Sequence, residues 1–334
     1  MRAPEFWHHP GNLAATLLSP LGAAYAAAAR IHRSARTPWR APVPVICIGN
    51  LVAGGAGKTP TAIAIGSRIA SWRLDVAFLT RGYGGRRAGP LRVDPARDRA
   101  EDVGDEPLLL ASCAATWLAR DRKAGAQAAI AEGADVIVMD DGMQNPSLAK
   151  DIVFIVIDGG YGFGNGHVMP AGPLREPIAR GLARAAAVVL IGTDECGVEA
   201  RISGLLPILR AHLVPDAAAC TLKAKKVFAF AGIGRPAKFY RTLESLGARV
   251  VARRDFPDHH RYGADEAMRL VEAAHEAGAE PVTTTKDHVR LPEGARMMVR
   301  PVGVDLVFED FASLDDLMRP VLERWAQTRR GDHG

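Results

Sequence analysis

The chain has 334 residues, 48% of them apolar and 24% charged, with 34 glycines and 22 prolines scattered and without period, so a fibrous, repeat or disordered protein is excluded and a large buried core is expected. Four cysteines, Cys47, Cys113, Cys196 and Cys220, stand far apart with no CxxC pair, which argues against a disulfide framework or a structural zinc site and fits a reducing compartment. Of the formal +5 charge, most sits in residues 1–40, where Arg2, Arg30, Arg33, Arg36 and Arg40 face Glu5 alone, so the basic balance gives no reason to expect a nucleic-acid partner.

From Gly11 to Ala29 run 19 residues without a charge, followed by the arginine-rich RIHRSARTPWR. Pro20, Gly22, Asn12 and the many alanines argue against a membrane span, and the basic cluster follows the apolar run, the reverse of a cleavable signal. Two readings stay open. In one, Leu13, Leu17, Leu21 and Tyr25 form the apolar stripe of a helix lying on the bilayer surface while the arginines meet anionic headgroups. In the other, the helix packs on the rest of the protein.

After Pro44, short apolar runs alternate with helical stretches. VPVICIGN (43–50), VAFLTRG (76–82), DVIVMDDG (135–142), DIVFIVIDG (151–159) and AVVLIG (187–192) read as buried parallel strands. TPTAIAIGSRIASW (59–72) and DEPLLLASCAATWLAR (105–120) read as helices between them, giving a doubly wound α/β sheet. HLVPDAAACTLKAKK reads as a connector, after which KKVFAFAGIGRP opens a second, smaller α/β unit. That unit is expected to continue with helices at 236–246 and 264–277, the strand EPVTTT and a last helix at 313–329. The expected division is therefore 1–40, a membrane-associating helix and basic segment; 41–220, the larger unit; and 221–334, the smaller.

GNLVAGGAGKTPT, Gly49 to Thr61, lies between a strand and a helix, the setting in which backbone amides surround phosphate oxygens. Gly54, Gly55, Ala56, Gly57, Lys58, Thr59 and Pro60 are the nucleotide-binding candidates, with Lys58 reaching the β- and γ-phosphates and the Thr59 hydroxyl reaching Mg²⁺. The strict GxxxxGK[ST] pattern asks for glycine at position 52, where Val52 stands, and the deviant KGGxGKT form asks for lysine at Ala53. Roughly 80 residues on, the run VIVM ends in Asp140 and Asp141, acidic groups at a strand tip next to the loop, as a Mg²⁺ partner requires.

Where the phosphate goes depends on what else reaches it. VGDEPLLL sets Asp105 and Glu106 at a helix start, where they could also serve as caps. FPDHHRY brings Asp258, His259 and His260 together, and an imidazole beside a carboxylate makes a serviceable base for a sugar hydroxyl. GNGHVMPAGPLREP (164–177) and TTTKDHVRL (283–291) are further loops richer in glycine, proline and charge than a plain turn needs.

GNLVAGGAGKTP, TRGYGG, VGDEP, DDGMQN, GNGHVMPAGPLREP, FPDHHRY and TTTKDHVRL occur in the order and approximate spacing of the tetraacyldisaccharide 4′-kinase family, which the chain resembles from its amino-terminal helix to about residue 300. The resemblance implies ATP- and Mg²⁺-dependent transfer of the γ-phosphate to the 4′-hydroxyl of an acylated glucosamine disaccharide 1-phosphate lipid, a step of lipid A biosynthesis, at the cytoplasmic face of the bacterial inner membrane. It also implies that Val52 is expected, because the family's loop lacks the first glycine. Carried over by position, it casts Asp105 as catalytic base with His259 as its partner, Lys58 on the phosphates, Thr59, Asp140, Asp141 and Glu176 near the metal, and Arg122 as a further contact. Two departures are Met143 and Asn145, where the family carries DDGFQH. The rival reading is a membrane-associated ATPase switch acting on a protein partner, which the loop alone would allow.

Overall fold

The computed structural model describes residues 4–9, 11–34 and 37–331, so that Arg2 and Arg36 lie outside the described residues, as does the side chain of Arg33. Thirteen strands are found among them: β1 (Val45–Gly49), β2 (Val76–Thr80), β3 (Leu91–Arg92), β4 (Ala115–Leu118), β5 (Val136–Asp140), β6 (Ile152–Asp158), β7 (Ala187–Ile191), β8 (Ile208–Pro215), β9 (Lys226–Ala231), β10 (Arg249–Asp255), β11 (Glu280–Thr284), β12 (Arg300–Val302) and β13 (Val304–Phe308). Nine form one sheet in the order β13-β8-β7-β6-β1-β5-β2-β4-β3, parallel except for its two edge strands β13 and β3. The central strands β1, β5, β6 and β7 are buried at every position, because helices cover both faces and no side of the strand meets water. The five strands expected from the apolar runs are all present.

Residues 105–120 depart from the single helix expected there. A short helix, Asp105–Ala111, ends at Ser112, and Ala115–Leu118 pairs in parallel with β2. Alanine-rich sequence favours a helix locally, but burying Trp117 and Leu118 in the sheet outweighs that preference. The connector at 212–226 likewise begins inside β8, and Ala217–Cys220 forms one helical turn capped by Asp216.

The second sheet, β10-β9-β11-β12, is all parallel. Its strand β9 shows why it needs two layers of helix: Val227, Ala229 and Ala231 enter a cluster with Phe239, Tyr240 and Leu243 of helix Pro236–Ser245. Phe228 and Phe230 point the other way, onto Leu270 and Val271 of helix Ala264–Glu276. Residues 304–331 do not stay with this sheet, although the expected 221–334 unit includes them. β13 adds to β8, and helix Phe311–Gly331 lays Leu314, Met318 and Leu322 into the core of the larger sheet. Asp315 on that helix holds Arg68 through two bonds of 2.9 and 2.5 Å.

The amino-terminal helix, Leu13–Ser34, packs one face on the rest of the protein, as the second reading expects. Ala15 and Ala26 are buried, and Gly22 lies so close to the Val168 carbonyl that a Cβ would meet its oxygen at 2.7 Å. Ser19 bonds His167 at 3.2 Å. The opposite stripe, Leu13, Leu17, Leu21 and Tyr25, is between 44% and 73% exposed. Among the described residues no helix is long and apolar enough to cross a membrane.

Candidate active site

A cleft of about 3450 Å³ opens between the two sheets, larger than the few hundred to a thousand cubic ångströms typical of a small-ligand pocket, so it has room for a nucleotide and a second bulky reactant together. Its floor is the loop between β1 and helix Lys58–Ala70, whose N-cap, Gly57, has φ +89°. A side chain at Gly57 would be strained by that φ, and its Cβ would lie 2.5 Å from Ile191 on β7. Asn50, fully buried, donates to the Val52 carbonyl at 2.6 Å and so holds the loop closed from within.

Val52 has a structural reason to be a side-chain-bearing residue. It is buried, forms an antiparallel bridge with Leu174, and is flanked by bonds from Ala53 N–H to the Pro173 carbonyl (2.8 Å) and from Arg175 N–H to the Leu51 carbonyl (2.7 Å). The PAGPLREP segment therefore acts as a splint along the phosphate loop, with strand-like backbone at 51–53 where the standard loop has its first glycine.

Lys58, at the first position of the helix, has its ammonium 3.8 Å from Asp141, and the Thr59 hydroxyl donates to Asp140 Oδ2 at 2.9 Å. Asp140 is buried, and its Oδ1 has no hydrogen-bond partner. Burial and the neighbouring Glu106 push its carboxyl up to about 7. Burial would push Asp141 up as well, but Lys58 and Arg175 outweigh it and hold the carboxyl below its ordinary range; Arg175 grips it at 2.8 and 3.2 Å.

An orphaned carboxylate oxygen beside a threonine hydroxyl suits a hard cation such as Mg²⁺, which keeps several waters and phosphate oxygens as ligands and needs few from protein. Among the described residues no three His, Cys, Asp or Glu side chains converge into a metal cage. Glu176, fully buried, receives Arg184 at 2.6 Å on one oxygen and Gln144 at 3.2 Å on the other. Gln144 also bonds the Asn50 carbonyl at 3.2 Å, so Glu176 is linked to the base of the loop through an amide.

Arg122 is buried behind the sheet end, bonded to the Ala119 carbonyl, with Nε unpartnered; burial and Arg81 lower its pKa to about 10. Met143 packs against Gly49, and the Asn145 carboxamide oxygen closes a turn onto Ser147 at 2.9 and 2.8 Å, so both departures from DDGFQH have local structural work.

The opposite wall joins the two sheets. Asp105, almost fully buried at the start of its helix, meets His259 Nδ1 at 3.3 Å and the Arg290 guanidinium. Burial alone would raise Asp105, but His259, Arg290 and Lys286 together drive it far below the ordinary carboxylate range. The Asp105 contact in turn raises the His259 imidazole. His259 has φ +57°, an uncommon conformation for a side-chain-bearing residue, fixed by its N–H to the Gly232 carbonyl at 3.1 Å.

Asp287, fully buried, organises this wall. It accepts from Gly232 N–H (3.0 Å), the Tyr262 hydroxyl (3.0 Å), the Thr284 hydroxyl (2.6 Å) and Arg290 (3.1 Å). Beside it Lys286 holds Glu106 at 3.0 Å. The sequence pointed to TTTKDHVRL as a charged loop, yet it gave no sign that Arg290 and Lys286 reach across to Asp105 and Glu106.

A parallel sheet with a glycine loop, a lysine and a threonine at a helix start, and a carboxylate at a neighbouring strand tip define a P-loop nucleotide-binding enzyme. The family model for "Tetraacyldisaccharide-1-P 4'-kinase" matches residues 14–323. The chain is 55% identical to the tetraacyldisaccharide 4'-kinase of Rhodospirillum centenum, covering 100% of this chain and 99% of that one, and 53% identical to that of Rhodospirillum rubrum, covering 95% and 97%. The crystal structure of LpxK from Aquifex aeolicus in complex with ATP is similar in fold, with a TM-score of 0.75 and 25% identity over 92% of this chain and 99% of that one. The chain belongs to the tetraacyldisaccharide 4′-kinase family.

Proposed function

We propose that this chain transfers the γ-phosphate of ATP, with Mg²⁺, to the 4′-hydroxyl of a tetraacylated glucosamine disaccharide 1-phosphate, a step of lipid A biosynthesis. The observation that carries the reading is the pairing of the Lys58–Thr59–Asp140 cluster with a buried Asp105 held against the half-buried His259 on the facing wall of one cleft. The rival switch reading is not favoured, since it gives no role to that second wall.

In this reading Lys58 and the backbone N–H groups of Gly54 to Thr59 neutralise charge on the β- and γ-phosphates, while Thr59 and Asp140 would hold Mg²⁺ and Asp141, gripped by Arg175, steadies Lys58. Mg²⁺ would add charge neutralisation on the phosphate oxygens. Glu176 acts from behind, fixing the loop through Gln144. Asp105 accepts the proton of the 4′-hydroxyl as the hydroxyl oxygen bonds to the γ-phosphorus, the bond to the β-phosphate oxygen breaks, and ADP leaves. A carboxylate held so acidic is a weak base, but a loose phosphoryl-transfer transition state leaves the proton on the nucleophile until late. Asp105 then serves by being ionised and aimed at the hydroxyl, with His259 orienting it.

Residues 41–220, with the returning segment 304–331, form the nucleotide-holding lobe in this account. The intervening residues bring His259, Lys286 and Arg290. The exposed Leu13, Leu17, Leu21 and Tyr25 stripe, with Arg30 nearby, lies on the cytoplasmic face of the inner membrane among anionic lipid. Replacing the three leucines by serine should release the protein from anionic vesicles in a flotation assay; undiminished binding would remove the helix from that role. The activity itself is tested by incubating detergent-solubilised protein with Mg²⁺-ATP and the tetraacyl disaccharide 1-phosphate and weighing the lipid by mass spectrometry. A gain of one phosphate supports the reading, and ATP hydrolysis with unchanged lipid contradicts it.

A further inference from the structure

Apart from the Asp105 wall, the two sheets also meet at the phosphate loop itself. Arg235, the residue before helix Pro236–Ser245, and Lys238, in its first turn, both point from the smaller sheet onto Oδ2 of Asp158 at the tip of β6, Arg235 at 2.5 Å. Asp158 is nearly buried, and its other oxygen accepts the Gly160 N–H at 3.1 Å. β6 lies directly beside β1, the strand that feeds the phosphate loop. The same Arg235 guanidinium donates to the Gly55 carbonyl inside that loop at 3.0 Å and stacks over Tyr161 with its carbon 5.4 Å from the ring centre.

Two cations therefore share one carboxylate oxygen at the rim of a site built for polyphosphate. Their side chains are 34% and 45% exposed, whereas Arg290 in the Asp105 wall is 6% exposed and held by four partners. A locked arginine fits a fixed electrostatic role. Half-solvated ones on a shared acceptor can exchange that acceptor for a stronger anion, and a guanidinium recognises phosphate through two donors at once.

We infer that Arg235 and Lys238 form a cationic clamp from the smaller sheet onto the phosphate tail of the nucleotide, with Asp158 as the internal anion that competes for them. The inference rests on the kinase reading of the cleft. Phosphate is also present on the lipid acceptor, but contact with Gly55 favours the nucleotide as the anion, because that carbonyl belongs to the loop that wraps the β- and γ-phosphates.

The competition gives the test its sign. If the Asp158 contacts merely hold the two sheets together, losing either side of them weakens the site in the same direction. A competitor behaves oppositely: removing the cation weakens nucleotide binding, and removing the carboxylate strengthens it. Dissociation constants for Mg²⁺-ATP are measured by calorimetry on the full chain, with KM for the lipid measured alongside. Arg235→Ala should raise the ATP Kd about tenfold and Lys238→Ala several-fold, the size of one or two charge-assisted bonds, with KM for the lipid unchanged.

Asp158→Asn, which keeps the shape and the Gly160 contact, should lower the ATP Kd two- to threefold. The clamp is overturned if Asp158→Asn weakens ATP binding as Arg235→Ala does, if Arg235→Ala binds ATP like the wild type, or if Arg235→Ala raises KM for the lipid and leaves the ATP Kd alone. A wild-type chain that binds no Mg²⁺-ATP would instead bring down the kinase reading, and the clamp with it.

Discussion

The phosphate loop and the Asp105 wall face each other across one cleft, but they are assembled by different means. Most of what shapes the loop comes from the larger unit: Gly57 against Ile191 of β7, Thr59 on Asp140 of β5, and Val52 splinted by Leu174, with Arg235 of the smaller unit reaching the Gly55 carbonyl. The Asp105 wall exists only where the two units touch, because Asp105 is in the larger one while His259, Lys286 and Arg290 come from the smaller. In the proposed function a nucleotide is thus held mainly by the larger unit, with Arg235 and Lys238 added from the smaller, whereas the proposed base, Asp105, has its partners His259, Lys286 and Arg290 from the smaller unit alone.

Changing one residue on either wall should separate these contributions. The largest effect is expected from Lys58→Ala, which removes the cation proposed to meet the developing phosphate charge; transfer should fall about a thousandfold, of the order seen when one preorganised charge-stabilising group is deleted. Retained turnover in the lipid assay would remove Lys58 from the chemistry. Arg290→Met comes next. It leaves Asp105 and Asp287 buried without the guanidinium and should cost about 3 kcal/mol of stability in chemical denaturation, as for a broken buried ion pair. A loss below about 1 kcal/mol would mean that Lys286 suffices and that the wall is not tied together as described.

Val52→Gly restores the glycine of the standard loop, and the splinted geometry predicts no benefit. The substitution removes a buried side chain and loosens strand-like backbone, so stability should drop by about 2 kcal/mol with no gain in ATP affinity. Improved ATP binding would show that Val52 is a handicap, not a splint. His259→Gln should have the smallest effect, about tenfold in kcat, since an orienting residue contributes less than the base it orients.

It also carries a pH signature. Because the folded state raises the His259 pKa from 6.5, its stabilisation is fully present below pH 6.5 and is lost as pH rises through the folded value. That decline in denaturation midpoint should be present in the wild type and missing in His259→Gln. Equal slopes for both proteins would sever the link between His259 and Asp105.

Local sequence carried the phosphate-loop wall almost completely. Apolar runs buried on both faces announce parallel strands, and a glycine loop between strand and helix marks a phosphate-loop candidate, so β1, β5 and the meeting of Lys58 and Thr59 with the Asp140–Asp141 strand tip were legible from local pattern. What the sequence hid was everything set by long-range packing. Residues 115–118 look helical until their pairing with β2 is known, and residues 304–331 follow the smaller unit in sequence but add to the larger sheet in space. The same holds within the site. Asp105 and His259 stood out as a carboxylate at a helix start and a histidine in a charged loop, and the family resemblance named them as partners. Arg290 and Arg235 had no such signal, since an arginine in a loop looks alike whether it is solvated or reaches across a cleft.

The division of labour between the two walls is tested most directly in Asp105→Asn, by measuring the Mg²⁺-ATP dissociation constant and the single-turnover rate of phosphate transfer to the lipid on the same preparation. The account predicts an ATP Kd within about twofold of wild type and a transfer rate lower by a factor on the order of a hundred or more. A large loss of ATP affinity, or transfer at the wild-type rate, would contradict it, placing Asp105 with the nucleotide in the first case and outside the chemistry in the second.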